Sequence, residues 1–412
     1  MKRRQLDGVR VLDLTRVLAG PLCAQMLGDL GAEVIKVEQP GKGDESRAYG
    51  PPFYEPAAPA DRMESAIYLC ANRNKRGIAV DFTTAEGQDI IRALAAKSDV
   101  LIENFRVGTL ARHGLDYAAL RQLNNGLIYC SVTGYGQTGP HRDRPGYDAI
   151  FQAESGLMHS IGYPDDHPAG GPMRVGLSIV DVLASHYATT AILAALYSRD
   201  ARGGGGEHVD VSLLEAGIGS MTHHAMHYLI SGDLPPRRGN MSAGGGVPSG
   251  MFACRDGDVV ITVGNDQQFN RFCDRVLSRP DLRADPRFAT NRHRVANREA
   301  LRVLLAAIFV TDTVGNWVAR MVEAGLACGQ VGTLRDVFAN PQVVARGVQV
   351  RAAHGNGSSL PLVANPIHYA ENPIEGYTAP PGLGEHTEDV LGRVLGMSPG
   401  MVDSLRAKRV VG

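Results

Sequence analysis

Residues 9–38 read VRVLDLTRVLAGPLCAQMLGDLGAEVIKVE, and their pattern indicates the class of the first domain. A short apolar strand over Val9–Leu14 is followed by a helical segment, LCAQMLGDLG, and by a second strand over Ala32–Glu38. Strand, helix and strand within about 30 residues indicate a βαβ unit with a parallel strand pair. The first turn lacks the G-x-G-x-x-G pattern, so a dinucleotide pyrophosphate site is not predicted.

The same alternation continues along the chain. Further strands are predicted at 77–82, 99–105 and 127–133, with helices at 84–97 and 110–123 between them. Strands that alternate with helices in this way favour a doubly wound, Rossmann-like α/β domain with a parallel sheet.

A change of pattern predicts a second, smaller α+β domain. The segment FACRDGDVVITVG reads as a hairpin that turns at Asp256-Gly257, and helical stretches follow it. We therefore predict a large α/β domain over 1–224, a small domain over 225–325, and a segment over 326–412 that returns to complete the large domain.

Composition excludes several functional classes. The 412 residues carry 42 Lys and Arg against 43 Asp and Glu, so no basic excess points to nucleic acid. The six cysteines are scattered without a C-x-x-C motif, which argues against a disulfide framework or a zinc knuckle. His223 and His227 have helical i, i+4 spacing but no H-E-x-x-H context, so no metal is predicted. The start has no apolar signal core, and we expect a soluble, cytoplasmic protein without membrane association.

A second stretch centres on one carboxylate. From Val175 to Ser198 the only charged side chain is Asp181, within an Ala- and Leu-rich segment that predicts a buried helix of about 20 residues. Ser178-x-x-Asp181 fits a capping box, in which Asp181 supports the helix start. Asp181 also fits a nucleophile that the helix N-terminus keeps ionised. The spacing alone leaves both roles open.

Three further polar or glycine-rich clusters have two interpretations each. Asn74-Lys75-Arg76, and Glu103–Arg106 together with Arg112, fall near strand ends, where they are either solvated surface charge or a grip for a phosphorylated ligand. Gly244–Gly246 is either a flexible linker or a lid whose backbone approaches a ligand closely.

Taken in order, several motifs resemble the family III CoA-transferases, the group that contains formyl-CoA and carnitine CoA-transferases. The resemblance covers about residues 6–396. It is carried by the opening stretch LDGVRVLDLTRVLAG and by NRNKRGIAVDF, DVLIENF, GYGQTGP, RPGYDA and LGEHT. Within the family, RVL at 16–18, CSVTGYGQ at 130–137 and GNDQQF at 264–269 are most similar to the succinyl-CoA:glutarate (dicarboxylate) CoA-transferases.

The resemblance implies a nucleophilic Asp181 and a glycine loop, here Gly245 and Gly246, that covers the reacting group. It implies coenzyme A as co-substrate, no metal or redox cofactor, and an interlocked homodimer. It also implies a CoA site for which the matching residues are Arg16, Val17, Asn74, Lys75, Asn104, Phe105, Arg112 and Tyr147.

The implied reaction moves CoA from an acyl-CoA to a small carboxylic acid. The resemblance to the subgroup implies that the donor is succinyl-CoA and that the acceptor is a dicarboxylate. The reaction would proceed through an acyl-aspartyl anhydride and an aspartyl-CoA thioester. A dicarboxylate has one carboxylate that does not react, and we expect an arginine to bind it. The candidates are Arg16, Arg47 and Arg174.

The alternatives are an α-methylacyl-CoA racemase-like isomerase and a non-catalytic CoA-binding protein. Leu18, where formyl-CoA transferase has Gln, argues against formate or oxalate as the substrate. Tyr147, where racemases have a catalytic His, argues against racemisation.

Overall fold

The computed structural model describes residues 4–54, 64–241, 245–355 and 357–412. The chain forms two compact units. The small unit comprises Met158–Met173 and Gly232–Val343, and the large unit comprises the rest. The predicted return at 326 therefore comes later, at Val344, because the strand at Ala327–Gln330 still pairs within the small unit's sheet.

The strands, in chain order, are β1 Arg10–Asp13, β2 Glu33–Glu38, β3 Phe53–Tyr54, β4 Glu64–Ser65, β5 Lys75–Ala79, β6 Val100–Glu103, β7 Ile128–Thr133, β8 His208–Ser212, β9 Ser249–Ala253, β10 Asp258–Thr262, β11 Ala327–Gln330, β12 Gln349–Ala353 and β13 Ser359–Val363.

The helices are α1 Ala19–Asp29, α2 Ala66–Cys70, α3 Ala85–Ala95, α4 Tyr117–Leu123, α5 Asp148–Glu154, α6 Leu157–Ser160, α7 Ile179–Arg202, α8 Leu213–Ser220, α9 Thr222–Ser231, α10 Asp266–Arg271, α11 Pro280–Ala284, α12 Asn291–Ala296, α13 Arg298–Phe309, α14 Val314–Glu323, α15 Leu334–Ala339, α16 Pro341–Ala345, α17 Thr387–Leu395 and α18 Pro399–Ala407.

The large unit is built on a six-stranded parallel sheet in the order β5-β2-β1-β6-β7-β8. Helices α1, α5, α7 and α8 cover one face, and α3, α4, α17 and α18 cover the other. The predicted doubly wound α/β class is thus confirmed. Because all six strands run the same way, the loops after β1, β6 and β7 meet at one edge of the sheet.

Two predicted helices are broken by backbone of positive φ. The segment 110–123 forms a short 3₁₀ turn and then α4, with Gly114 between them at φ 64°. Residues 213–232, which the sequence also predicts to be helical, divide into α8 and α9 close to Thr222, whose φ is 41°. A non-glycine residue at such a φ is uncommon, and the sequence around Thr222 gives no sign of it.

Helix α7 is buried along one side only. Val180, Ala184 and Ile192 are fully buried against the sheet, whereas Tyr187 and Tyr197 are 48% and 62% exposed. The prediction of a helix buried all round is therefore wrong for the single chain. Within the described ranges, α7 alone is long and apolar enough, by length and composition, to cross a membrane, unless α13 and α14, bent by 114°, count as one span.

The small unit has its own antiparallel sheet, in the order β11-β10-β9. The predicted hairpin is confirmed, with Asp256-Gly257 between β9 and β10. Phe309 stacks on Phe252 and packs against Trp317, whose indole N–H donates to the Phe309 carbonyl. This aromatic cluster gives the unit an independent hydrophobic core.

Candidate active site

Asp181 lies in a cleft of about 220 Å³ where the loops after β1, β6 and β7 meet. Six of the predicted residues line this one cleft, although they come from four separate parts of the chain: Arg16, Val17, Asn104, Phe105, Tyr147 and Asp181. A ligand site at the carboxyl edge of a parallel sheet is the usual arrangement in doubly wound folds.

Asn104 fixes the loop that follows β1. Its side-chain Oδ1 accepts the N–H of Arg16 at 2.9 Å, and its Nδ2 donates to the Arg16 carbonyl at 2.7 Å. The next residue, Val17, has φ 70°, a strained conformation for a β-branched side chain. The Asp44 carboxylate accepts the Val17 N–H at 3.1 Å, so both sides of the strained residue are held.

Phe105 forms the neighbouring wall of the cleft. The Arg16 guanidinium lies 4.9 Å from the centre of its ring, within the range of a cation–π interaction. The Phe105 N–H donates to the buried Glu103 carboxylate at 2.9 Å. Burial raises the pKa of Glu103 to about 7, so this anchor of the turn titrates near neutral pH. The sequence places Glu103 in the polar cluster after β6 but gives no sign of this role.

The predicted capping box at Asp181 is wrong. The Ser178 side chain makes no capping hydrogen bond at the start of α7. Instead, Asp148 of α5 accepts the N–H of Val180 at 2.8 Å and that of Asp181 at 3.3 Å. Gln152 donates to the same Asp148 carboxylate and also bonds the backbone of Val175. The segment leading to Asp181 is therefore clamped from α5.

The Asp181 carboxylate itself is not used to hold the fold. No hydrogen bond joins it to another side chain or backbone group in the described ranges. Burial, together with the nearby negative charge of Asp148, raises the pKa of Asp181 to about 7. The expectation that the helix start keeps it firmly ionised is thus not met: the group is balanced between acid and carboxylate near neutral pH.

Lys75 does not reach the cleft. Its amino group is fully buried, and its three protons donate to Asp13, to the Pro21 carbonyl and to Asn72, each at 2.8 Å. A second buried pair, Lys36 with Asp44 at 2.9 Å, lies in the same part of the sheet. The expected contact of Lys75 with a CoA phosphate is not supported by this arrangement, because the ammonium has no proton left to donate.

Asn74 is also outside the cleft. Residues 74 and 75 lie at the start of β5, so they are at the opposite edge of the sheet from the ends of β1, β6 and β7. Asn74 has φ 61°, and its amide bonds Asp29 and Thr378. Its role is to hold the returning chain against the sheet.

The predicted arginines have different environments. Arg112 is exposed and does not line the Asp181 cleft. Arg47 is paired with Glu38 and Glu64, so it is not free to hold a substrate carboxylate. Arg174 is exposed. Three arginines that line the cleft were not proposed as carboxylate ligands: Arg106, Arg142 and Arg144.

The glycine loop lies partly outside the described residues, since Gly244 is not among them. Gly246 is not among the described glycines of positive φ. A Cβ at Gly246 would lie 2.9 Å from the Gly264 Cα, whereas a Cβ at Gly245 would meet nothing within 4 Å in the part of the chain that the structure describes. Asn291 donates to the Gly245 carbonyl at 2.6 Å and accepts the Val247 N–H at 3.1 Å, which fixes the end of the loop.

No group of three or more His, Cys, Asp or Glu side chains in the described ranges is arranged to hold a metal ion. His223 and His224 are in ring contact, with centroids 4.6 Å apart, but no acidic or sulfur ligand joins them in such a group.

Comparison with known proteins identifies the family to which the chain belongs. The model of CoA-transferase family III matches residues 6–387. The chain is 40% identical over 390 residues to a succinate–glutarate CoA-transferase of Agrobacterium fabrum, covering 95% of this chain and 96% of that protein. It is 40% identical over 408 residues to a succinyl-CoA:glutarate CoA-transferase of Mus musculus, covering 99% and 90%.

Among solved structures, a CAIB/BAIF family protein from Brucella suis superposes with a TM-score of 0.85 at 39% identity, covering 95% of this chain and 100% of that chain. The fold is that of the α/β proteins of the CAIB/BAIF family. The chain belongs to CoA-transferase family III. It is a CoA-transferase, and its co-substrate is coenzyme A.

Proposed function

We propose that this enzyme transfers CoA from succinyl-CoA to a free dicarboxylic acid, with Asp181 as the nucleophile. The observation that carries the proposal is the Asp181 carboxylate, which lies in the cleft without a hydrogen-bond partner among the described residues. The choice of donor and acceptor is supported by the relatives named for succinate and glutarate.

The reaction is a double exchange at one carboxylate. An Asp181 oxygen attacks the thioester carbonyl, and the C–S bond breaks. CoA departs as the thiolate, and an acyl-aspartyl anhydride is formed. The thiolate then attacks the aspartyl carbonyl, which releases succinate and forms an aspartyl-CoA thioester. The acceptor carboxylate attacks this thioester and displaces the thiolate. The thiolate finally attacks the acceptor's acyl carbonyl, which gives the new acyl-CoA and restores Asp181.

Two features of the cleft suit this chemistry. The Arg16–Val17 loop and Phe105, both held by hydrogen bonds, provide a rigid surface for the pantetheine end of CoA. The burial that raises the Asp181 pKa also limits the contact of water with this carboxylate, which would slow hydrolysis of the anhydride. Backbone N–H groups of Gly245 and Gly246 are proposed as donors to the tetrahedral oxyanions.

The proposed assembly is a homodimer. Large apolar side chains are exposed along one side of α7 and on α9, including Tyr197 at 62%, Leu229 at 72% and Ile230 at 79%. A second copy of the chain would bury these groups, as contiguous exposed apolar surface commonly marks an interface. Interlocking of the two chains is the family's form and is part of the proposal.

The covalent intermediate provides the test. Enzyme mixed with succinyl-CoA and then hydroxylamine should carry a hydroxamate on the peptide that contains Asp181, and the same peptide should stay unmodified without succinyl-CoA. Exchange of α-hydrogens into the acyl-CoA in D₂O, with no adduct and no transfer between acids, would instead favour the racemase-like alternative.

A further inference from the structure

The buried carboxylate that anchors the Phe105 turn is connected to the outer strand of the large unit's sheet. Glu103 is the last residue of β6, and its register partner on the parallel strand β7 is Ser131. Both side chains are almost completely buried. The Ser131 hydroxyl lies 3.0 Å from Nε2 of His208, the first residue of the edge strand β8. Three side chains on neighbouring strands thus lead from the wall of the Asp181 cleft to the edge of the sheet.

Two tyrosines fix the orientation of the His208 ring. The ring stacks on Tyr117 with centroids 5.0 Å apart and lies edge-on to Tyr129 at 5.3 Å. The Tyr129 hydroxyl donates to the Leu115 carbonyl at 3.1 Å, which holds that tyrosine in turn. Burial lowers the pKa of His208 below the ordinary 6.5, so at pH 7 the ring is neutral and one of its nitrogens carries a proton. A ring that packing has already fixed loses little entropy in a hydrogen bond with Ser131.

A cavity of about 260 Å³ borders Glu103, Ser131 and His208. Burial raises the pKa of Glu103 to about 7, the Ser131 hydroxyl opposes this rise by favouring the carboxylate, and the nearby negative charge of Asp210 adds to it. The other titratable or charged groups around Glu103 are Cys130, Tyr129, Asp116 and Arg106. The protonation of Glu103 therefore changes near neutral pH and depends on how its neighbours are arranged.

The charge of Glu103 affects the turn that it anchors. As a carboxylate, Glu103 accepts the Phe105 N–H in a charge-assisted hydrogen bond, which is stronger than a bond to a neutral carboxyl group. The Phe105 ring lines the Asp181 cleft and lies 4.9 Å from the Arg16 guanidinium. Loss of the charge would loosen one wall of the cleft.

We propose that His208 is a positioning residue for the CoA site, acting through Ser131 and Glu103 on the wall that Phe105 forms. His208 donates its Nε2 proton to the Ser131 oxygen, so the single hydroxyl proton of Ser131 turns to the Glu103 carboxylate. The carboxylate then holds the Phe105 turn. The inference rests on the proposed function only in that CoA lies against Phe105. His208, Ser131 and Glu103 do not line the Asp181 cleft themselves, so their effect on CoA is indirect.

The expected signature is an affinity for CoA that depends on pH. The complex favours ionised Glu103, so the Kd for CoA should be lowest above pH 7 and rise by up to about fivefold towards about pH 6, as a charge-assisted hydrogen bond becomes a neutral one. The measurement uses the Asp181→Asn background, because Asp181 also titrates near pH 7. Glu103→Gln keeps an acceptor for the Phe105 N–H but does not titrate. The ratio of each Kd to that of Glu103→Gln at the same pH cancels the ionisation of CoA itself.

Two variants should move the midpoint of this ratio in opposite directions. His208→Phe keeps the stacking on Tyr117 but removes the donor, which should raise the midpoint by about 0.5 pH unit or more. Asp210→Asn removes a charge that raises the pKa of Glu103 and should lower the midpoint. His208→Gln, which brings an amide donor to about the place of Nε2, should restore it. His368→Phe, at an exposed position of the same unit, is the matched control.

Each outcome decides for or against the network. A midpoint that stays in place in His208→Phe, or one that His208→Gln does not restore, would overturn the role of His208. If His208→Phe does not fold, Ser131→Ala removes the hydroxyl instead and should shift the midpoint in the same direction. A ratio independent of pH in the Asp181→Asn background would overturn the role of Glu103.

Phe105→Ala separates this inference from the proposed function. If it leaves the Kd for CoA unchanged, CoA does not lie against Phe105, and the proposed placing of CoA fails. If it raises the Kd while the ratio shows no dependence on pH, only the network from His208 to Glu103 is overturned.

Discussion

The Asp148 carboxylate caps the helix that carries Asp181, and it accepts the backbone N–H of Asp181 itself at 3.3 Å. One carboxylate therefore has two effects on the other. It holds the backbone of Asp181 in place, and its negative charge contributes, after burial, to the raised pKa of the Asp181 side chain. These effects can be separated, because an amide oxygen can still accept the N–H groups without carrying the charge.

Asp148→Asn should shift the acid limb of the kcat/KM profile to lower pH. In wild type that limb should lie near pH 7, because Asp181 must lose its proton to attack the thioester and its pKa is about 7. Removing the neighbouring charge lowers that pKa, although burial keeps it above the ordinary value of 3.8. The measurement is kcat/KM for succinyl-CoA from about pH 5 to about pH 9.

Asp89→Asn, on the exposed face of α3, is the control for a change of surface charge. If the Asp148→Asn profile coincides with that of wild type, Asp148 serves only as a cap.

Asp181→Asn should abolish transfer, with a loss of several orders of magnitude in kcat, because an amide is a poor nucleophile. The same change should stabilise the fold above neutral pH. The folded pKa of about 7 exceeds the ordinary 3.8, so wild type loses stability as pH rises through this interval. The upper bound of that loss is about 4 kcal/mol for a shift of about three pKa units.

Thermal unfolding of the two proteins at about pH 4 and about pH 8 measures this effect. The difference in Tm in favour of Asp181→Asn should be larger at the higher pH. An equal difference at both pH values would show that the carboxylate is not destabilised by the fold.

Lys75→Met should destabilise the fold by about 3–5 kcal/mol, since it leaves the Asp13 carboxylate buried without its partner. Adding Asp13→Asn should restore much of the loss. Denaturant unfolding of the single and double variants measures the change in the free energy of unfolding. Normal stability in Lys75→Met would contradict the buried network.

Arg112→Ala, at an exposed position, should instead leave stability unchanged and raise the KM for succinyl-CoA if Arg112 binds a CoA phosphate.

The two glycines of the loop should respond differently to a side chain. Gly246→Ala should lower stability, because the new Cβ would press on the backbone of Gly264 and Val263. Gly245→Val should fold like wild type, since its Cβ meets nothing within 4 Å among the described residues, yet lower kcat if the loop must approach the reacting group. Full activity of Gly245→Val at normal Tm would make this segment a linker.

Much of the fold could be predicted because it depends on local pattern. The strand segments around Val11, Val34 and Val132 carry apolar runs that alternate with helices, and all of them pair in the parallel sheet. Asn104 follows from the rule that ligands bind where parallel strands end, and Arg16 from the family motifs. Asp181 stands out as the only charged side chain of an apolar helix, and the family motifs imply its role.

The remaining features depend on contacts between distant residues. The cap at α7 comes from Asp148, 33 residues before Asp181, and nothing in the local sequence identifies it. Lys75 looked like a phosphate ligand because its charge is visible in the sequence, whereas its burial against Asp13 is not. The exposed side of α7 was missed because Ala, Thr and Tyr give little periodicity in hydrophobicity.

The buried pairs Asp13–Lys75 and Lys36–Asp44 also constrain how this chain can change over generations. A single replacement at one of these positions leaves a charge without its counterpart inside the protein, so a lineage would lose folded enzyme before a second replacement arrived. Replacement of both members of a pair in one step is therefore the accessible route. Asp44 also accepts the Val17 N–H. A replacement in the buried Lys36–Asp44 pair would therefore also change the loop on which CoA would lie.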